Sequence, residues 1–178
     1  MEVKISNLVK RYGNSVILDH FSVEIQAGEV FGLLGPGGCG KTTVINCLLG
    51  LLKYDKGQIE VGGRELTLKN YALKKNIGIV PQNITVLNEL TVYENVDYFC
   101  SLYIKDRQER EHGVREAIDF CRLNMVTDIY PRKLNQGLLR RLNMACGIAH
   151  KPELIIFDEP TIGTDAADRE IILKGITQ

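Results

Sequence analysis

Residues 30–43 read VFGLLGPGGCGKTT, and no other stretch constrains the fold as strongly. An apolar run is followed by a glycine-rich turn, then by a lysine and two threonines, the order expected of strand, loop and helix. Gly35, Gly37, Gly38 and Gly40 let the backbone turn without Cβ clashes, so that successive amide N–H groups converge on one point. A helix beginning near Lys41 aims its positive end at the same point. Gly35, Gly40, Lys41 and Thr42 match the spacing GxxxxGK[ST] of a phosphate-binding loop, and Pro36, Cys39 and Thr43 complete the stretch that would touch a nucleotide. In such a loop Lys41 reaches the β- and γ-phosphates and the Thr42 hydroxyl ligates Mg²⁺. A plain glycine turn is the alternative, but four fixed positions between a buried-looking strand and a helical segment favour nucleotide binding.

The 178 residues, 44% hydrophobic and 25% charged, suit one compact domain with a real core. Lys plus Arg equals Asp plus Glu at 22 each. A net charge of zero argues against nucleic acid as a partner, because such surfaces need a basic excess. No apolar run approaches the roughly 18 residues that span a bilayer. The first ten residues, MEVKISNLVK, lack a signal-peptide apolar region, so a membrane role is expected to be peripheral. Five cysteines without a CxxC pair read as reduced and mostly buried. Cys39 is the exception, lying beside a helix N-terminus that could lower its pKa, although a small residue filling the loop is the simpler account.

Residues 3–8 and 16–25 alternate apolar and polar as half-buried strands do, with a turn at Tyr12, Gly13 and Asn14. Tyr12 would either stack on a base or cover the sheet edge. Residues 42–52 carry a helical apolar pattern in Val44, Ile45, Leu48, Leu49 and Leu52. Lys74 and Lys75 read as a solvated patch. Residues 83–149 form a largely helical insert: a capping box of Thr91 and Glu94 opens a helix to about Tyr103, a second runs over 106–123 and a third over 136–149.

Ligands of open α/β sheets sit at the carboxyl ends of the strands. Three apolar runs end in groups suited to one site: VFGLL at the phosphate loop, IGIV at Gln82, and LIIF at Asp158 and Glu159. The last run is continuously apolar, as in a parallel strand covered on both faces. Adjacent acids at its end alternate in direction, so Asp158 can hold Mg²⁺ while Glu159 polarises water.

With these motifs the chain resembles the ATPase cassette of the ATP-binding cassette (ABC) family over essentially its full length. GPGGCGKTT is close to the family's phosphate loop, Gln82 matches its Q-loop glutamine, LIIFDEP its second nucleotide motif, and Asp165 its D-loop aspartate. Tyr12 falls where the family stacks adenine. The family signature LSGGQ aligns with Leu134, Asn135, Gln136, Gly137 and Leu138. Asn135 replaces serine with another helix-capping, hydrogen-bonding group, and Gly137 keeps the position where backbone approaches a γ-phosphate, whereas Gln136 and Leu138 depart. Such variants look like those of drug-export or bacteriocin-immunity cassettes. The D-loop has Thr164 where leucine is usual.

The resemblance implies an α/β, P-loop NTPase (RecA-like) fold: a mostly parallel sheet, an N-terminal antiparallel β subdomain and an inserted helical subdomain. The ATP-binding core would span 1–82 and 150–178, the helical subdomain 83–149. It implies ATP and Mg²⁺, a second cassette (homo- or heterodimer) closing head to tail, and a transmembrane permease gripped near residues 84–90, although those apolar residues could equally pack internally. The subunit would lie in the cytoplasm on the inner face of the membrane and drive export. Glu159, Gln82 and Lys41 would be catalytic, with Thr42, Gln82 and Asp158 holding the metal. The family's switch histidine lies beyond the D-loop, and His20, His112 and His150 do not match it, so the expectation is a fragment or natural truncation that binds ATP but hydrolyses it poorly. Competing readings are a soluble ABC-type ATPase acting on ribosomes or DNA, and a small-molecule kinase, which would not need Gln82, a signature-like cap and the Asp158–Glu159 pair together.

Overall fold

The computed structural model describes residues 1–67 and 69–177, which divide into two compact units, Met1–Lys75 and Asn76–Gln178. In the first, β1 (Val3–Tyr12) and β2 (Ser15–Ile25) form a hairpin, followed by α1 (Lys41–Leu48), β3 (Lys56–Val61), β4 (Arg64–Glu65) and α2 (Tyr71–Lys74). The sheet order is β2-β1-β3-β4, with every pair antiparallel. Val3 and Ile5 point into the core, but so do Leu8 and Val9, because the alternation slips one residue at Asn7. Asn7 adopts a left-handed φ of 49° and the β1–β2 register shifts between Ile5 and Leu8. This bulge restores the apolar phase.

Helix α1 ends earlier than its apolar pattern. Gly50 has φ 58°, its N–H donates to Cys47 O and that of Leu51 to Asn46 O, the paired bonds of a Schellman cap. Leu51 is left exposed as a result. Lys74 is not simply solvated: its Nζ donates to Gly50 O at 2.8 Å, fastening α2 to the end of α1.

The apolar run at residues 30–34 corrects the sequence reading. It belongs to no strand among the described residues, and Val30, Phe31 and Leu34 are 61%, 44% and 92% exposed. Apolar composition does not by itself make a strand; a ladder partner must satisfy the backbone, and the antiparallel sheet of this unit does not supply one.

In the second unit β5 (Ile77–Val80) and β6 (Leu154–Phe157) pair in parallel, Ile77 opposite Leu154 and Val80 opposite Phe157. Between them in sequence lie α3 (Val92–Ser101), α4 (Arg107–Phe120) and α5 (Gln136–Ile148), and α6 (Ala166–Thr177) follows. Their core gathers Val80, Val96, Val114, Leu142 and Ile172, with Phe157 packed against it. The helices of residues 83–149 thus share one core with both strands and α6. Helix α5 lies directly on β5, since a Cβ at Gly78 would meet Gly147 O at 2.6 Å. The capping box is present, with Thr91 N donating to Glu94 and Glu94 N to Thr91 Oγ1. Buried Asn95 braces the loop before it: its Oδ1 accepts from Leu87 N, and its Nδ2 donates to the carbonyls of Leu87, Leu90 and Thr91.

Candidate functional site

The phosphate loop runs into α1 at Gly40, the N-cap residue, whose φ of 99° is one that L side chains rarely adopt. No side chain caps this helix, which leaves its first-turn amides to an anion. A Cβ at Gly37 or Gly38 would meet nothing within 4 Å, so the space beside both is open. Lys41 is folded back on its own loop, donating from Nζ to Gly35 O at 2.8 Å and to Pro36 O at 2.9 Å. Its ammonium can exchange these carbonyls for phosphate oxygens. Cys39 is exposed, with its sulfur in the space a Cβ at Gly35 would take, 2.7 Å away. Thr42 is exposed on the first turn of α1, and Thr43 is half-buried.

Tyr12 is the last residue of β1 and pairs with Ser15 of β2, beyond the β1–β3 register, which ends at Val9 opposite Lys56. Tyr12 is 52% exposed, with Lys10 Nζ 5.2 Å from its ring centroid.

In the second unit the parallel pairing of β5 and β6 brings their carboxyl ends together, as the two runs predict. Asp158 N donates to Val80 O at 3.0 Å, extending the ladder by one residue. The chain then turns at Glu159, which has a left-handed φ of 49°, a strained conformation for a non-glycine residue. This turn presents Glu159 to solvent, where its Oε2 accepts from Gln82 Nε2 at 3.0 Å. Glutamine and glutamate from two strand ends thus meet. Of the three apolar runs, β5 and β6 converge within one unit, while residues 30–34 belong to the other and form no strand.

Asn135 caps α5, accepting from Leu138 N at 2.8 Å, the helix-capping behaviour expected of it. Gly137 is buried, and a Cβ there would fall on the Asp168 carboxylate of α6. Within this chain its lack of a side chain lets α5 meet α6. Asp165 accepts from Asp168 N at 2.8 Å at the start of α6. His150 stacks on Tyr103 with centroids 3.8 Å apart, and burial holds its pKa below the usual value.

Sequence reasoning missed Arg140 and Asn143 on α5 and Asp168 on α6, all buried. Polar residues interrupting the apolar phase of a helix, as Asn143 does between Leu142 and Met144, are the signal that could have found them. Among the described residues no group of three His, Cys, Asp or Glu is gathered to hold a metal, and no helix is long and apolar enough to cross a membrane.

A phosphate cradle at a helix N-terminus, in a chain that also carries a strand-end carboxylate pair, defines a P-loop nucleotide-binding α/β protein. The chain belongs to the ABC transporter family, whose pattern matches residues 18–162. It is 38% identical over 170 residues to the Nod factor export ATP-binding protein I of Sinorhizobium fredii, covering 96% of this chain and 50% of that one. It is 36% identical over 176 residues to the linearmycin resistance ATP-binding protein LnrL of Bacillus subtilis, covering 99% and 57%. The chain therefore spans about half the length of these curated relatives. A dimeric ATP-binding cassette solved in a post-hydrolysis state with ADP and Pi superposes with a TM-score of 0.85 at 25% identity, covering 98% of this chain and 81% of that one.

Proposed function

We propose that this chain is the ATP-binding and hydrolysing part of an ABC exporter. The observation that carries the reading is the phosphate loop: an uncapped α1 N-terminus, a left-handed Gly40, and Lys41 held over the loop carbonyls. Lys41 and the loop amides from Gly35 to Thr43 bind the phosphates, and Tyr12 stacks the adenine. Thr42, Gln82 and Asp158 are the residues that would hold Mg²⁺, and the ion would supply neutralisation of phosphate charge. Glu159 accepts the proton of the attacking water as its oxygen bonds to phosphorus and ADP leaves, and Gln82 keeps that carboxylate oriented.

Asn135 and Gly137, at the start of α5, approach the γ-phosphate held by a second cassette. Two ATPs are then shared between two chains, identical or not, and the dimeric neighbour favours that assembly. A transmembrane permease docks near residues 84–90 and on α3, where Tyr98 and the C-cap residue Leu102 are 45% and 52% exposed. The subunit is peripheral on the inner face of the membrane, and no nucleic acid is involved. Export is favoured over import by the likeness to the Nod factor export protein. The test is the light-scattering mass of Glu159→Gln with and without Mg-ATP. A doubled mass that Lys41→Ala abolishes is expected; a monomer in both conditions, with ATP bound, refutes the head-to-tail dimer for this chain.

A further inference from the structure

Arg140, five residues after the Asn135 cap of α5, is only 7% exposed, and burial lowers its pKa. Among the described residues it has no carboxylate within ion-pair distance, although two other arginines of this unit do: Arg141 pairs with Asp168 and Arg110 with Asp97. Its guanidinium instead grips two carbonyls. Nη1 donates to Gln82 O, and Nε donates to Ile162 O at 3.1 Å. One turn along the same face, Asn143 donates to Pro81 O at 3.1 Å and accepts from Thr85 N at 3.1 Å and Thr85 Oγ1 at 3.2 Å. Helix α5 therefore holds the segment after β5 on both sides of Gln82.

The other end of the clamp matters as much. Ile162 closes the turn that begins at Glu159, its N–H donating to Glu159 O at 3.3 Å. One planar cation thus fixes the backbone of Gln82 and the turn carrying Glu159, the two residues joined by the 3.0 Å side-chain bond. An apolar side chain would fill this position without the desolvation penalty of a buried charge. A rigid fork with two diverging N–H donors is what holding two carbonyls at a set spacing requires.

We propose that Arg140 is a positioning residue for hydrolysis: it sets the Gln82–Glu159 spacing and ties it to α5, whose first turn carries Asn135 and Gly137. Resting on the function proposed above, this gives the signature helix a direct mechanical link to the catalytic carboxylate of its own chain. Arg140 touches no nucleotide, so its loss alters turnover rather than binding.

The experiment compares the wild-type chain with Arg140→Gln and Arg140→Lys by amide hydrogen exchange, by binding of a fluorescent trinitrophenyl-ATP and by steady-state ATP hydrolysis. Arg140→Gln is expected to speed exchange at Thr85 and Ile162 at least tenfold while Val96 in α3 is unchanged. It should lower kcat at least tenfold with the nucleotide Kd within threefold. Arg140→Lys, which keeps a buried cation but spans only one carbonyl, should recover part of both effects, and it carries the test alone if the glutamine variant fails to fold. Unchanged exchange at Thr85 and Ile162, or an unchanged kcat, overturns the proposal. A wild-type chain that binds the analogue but hydrolyses no ATP refutes the functional reading instead, and the exchange rates then decide whether the clamp exists.

Discussion

Replacing Gly137 with alanine tests the contact between α5 and α6 more sharply than any other single change. The new Cβ would fall on the Asp168 carboxylate, so a shift of a few tenths of an ångström does not accommodate it and Asp168 must swing away. That breaks the ion pair with Arg141, 3.3 Å in length, between side chains only 13% and 12% exposed. Overpacking alone costs about 1 kcal/mol at the mild end. Losing one partner of a largely buried pair adds about 2 kcal/mol, below the range for fully buried pairs because some solvent reaches both groups. Gly137→Ala should therefore destabilise by about 3 kcal/mol, lowering Tm by roughly 6–12 °C for a chain of this size. Asp168→Ala, which removes the pair without the clash, should cost about 2 kcal/mol. With the carboxylate gone the added methyl has room, so the double variant should cost about 2 kcal/mol, the loss of the pair alone, rather than the additive value of about 5. Urea unfolding of the four proteins gives the coupling directly. Additivity within about 0.5 kcal/mol would refute the contact.

Three further outcomes are expected. Asn95→Ala removes the amide that satisfies Leu87 N and three loop carbonyls in a fully buried site, and should cost about 2–4 kcal/mol in urea unfolding; a loss under about 1 kcal/mol would show that the loop does not depend on it. His150, held below its usual pKa by burial, contributes stability above its unfolded pKa near 6.5 that is lost as pH falls through its lower folded value. The stability profile of His150→Phe should be flatter in that acid range, and parallel profiles would count against the assignment. Burial pushes the Cys100 thiol up to about 11 and Cys121 up to about 12, so both stay protonated at pH 8. Iodoacetamide should then label Cys39 alone in the native protein, more slowly with Mg-ATP present, and all five thiols in urea. The same raised thiols predict stability falling from about pH 9 upward.

Several features were legible because they are set by neighbours in sequence. The strands at 77–80 and 154–157, the Thr91–Glu94 capping box and the Asn135 cap each depend on residues within a few positions, and each is present. The loop glycines and Lys41 likewise announce an anion cradle without knowledge of what surrounds it. The early end of α1 is written locally in Gly50, although the apolar pattern continues through Leu52.

What the sequence by itself determined is local: which short runs are strands or helices, how they are capped, and which residue types could meet a nucleotide. The tertiary structure decided everything that requires partners distant in the chain. It alone put Gln82 against Glu159, 77 positions apart, and gave the buried Arg140 two carbonyls in place of a carboxylate. It made Gly137 a packing necessity against Asp168 and left residues 30–34 without a strand despite their apolar composition. The physical reason is the same in each case. A side chain's or a ladder's hydrogen-bonding partner is chosen by packing, and composition carries no information about which distant backbone group will arrive to accept or donate.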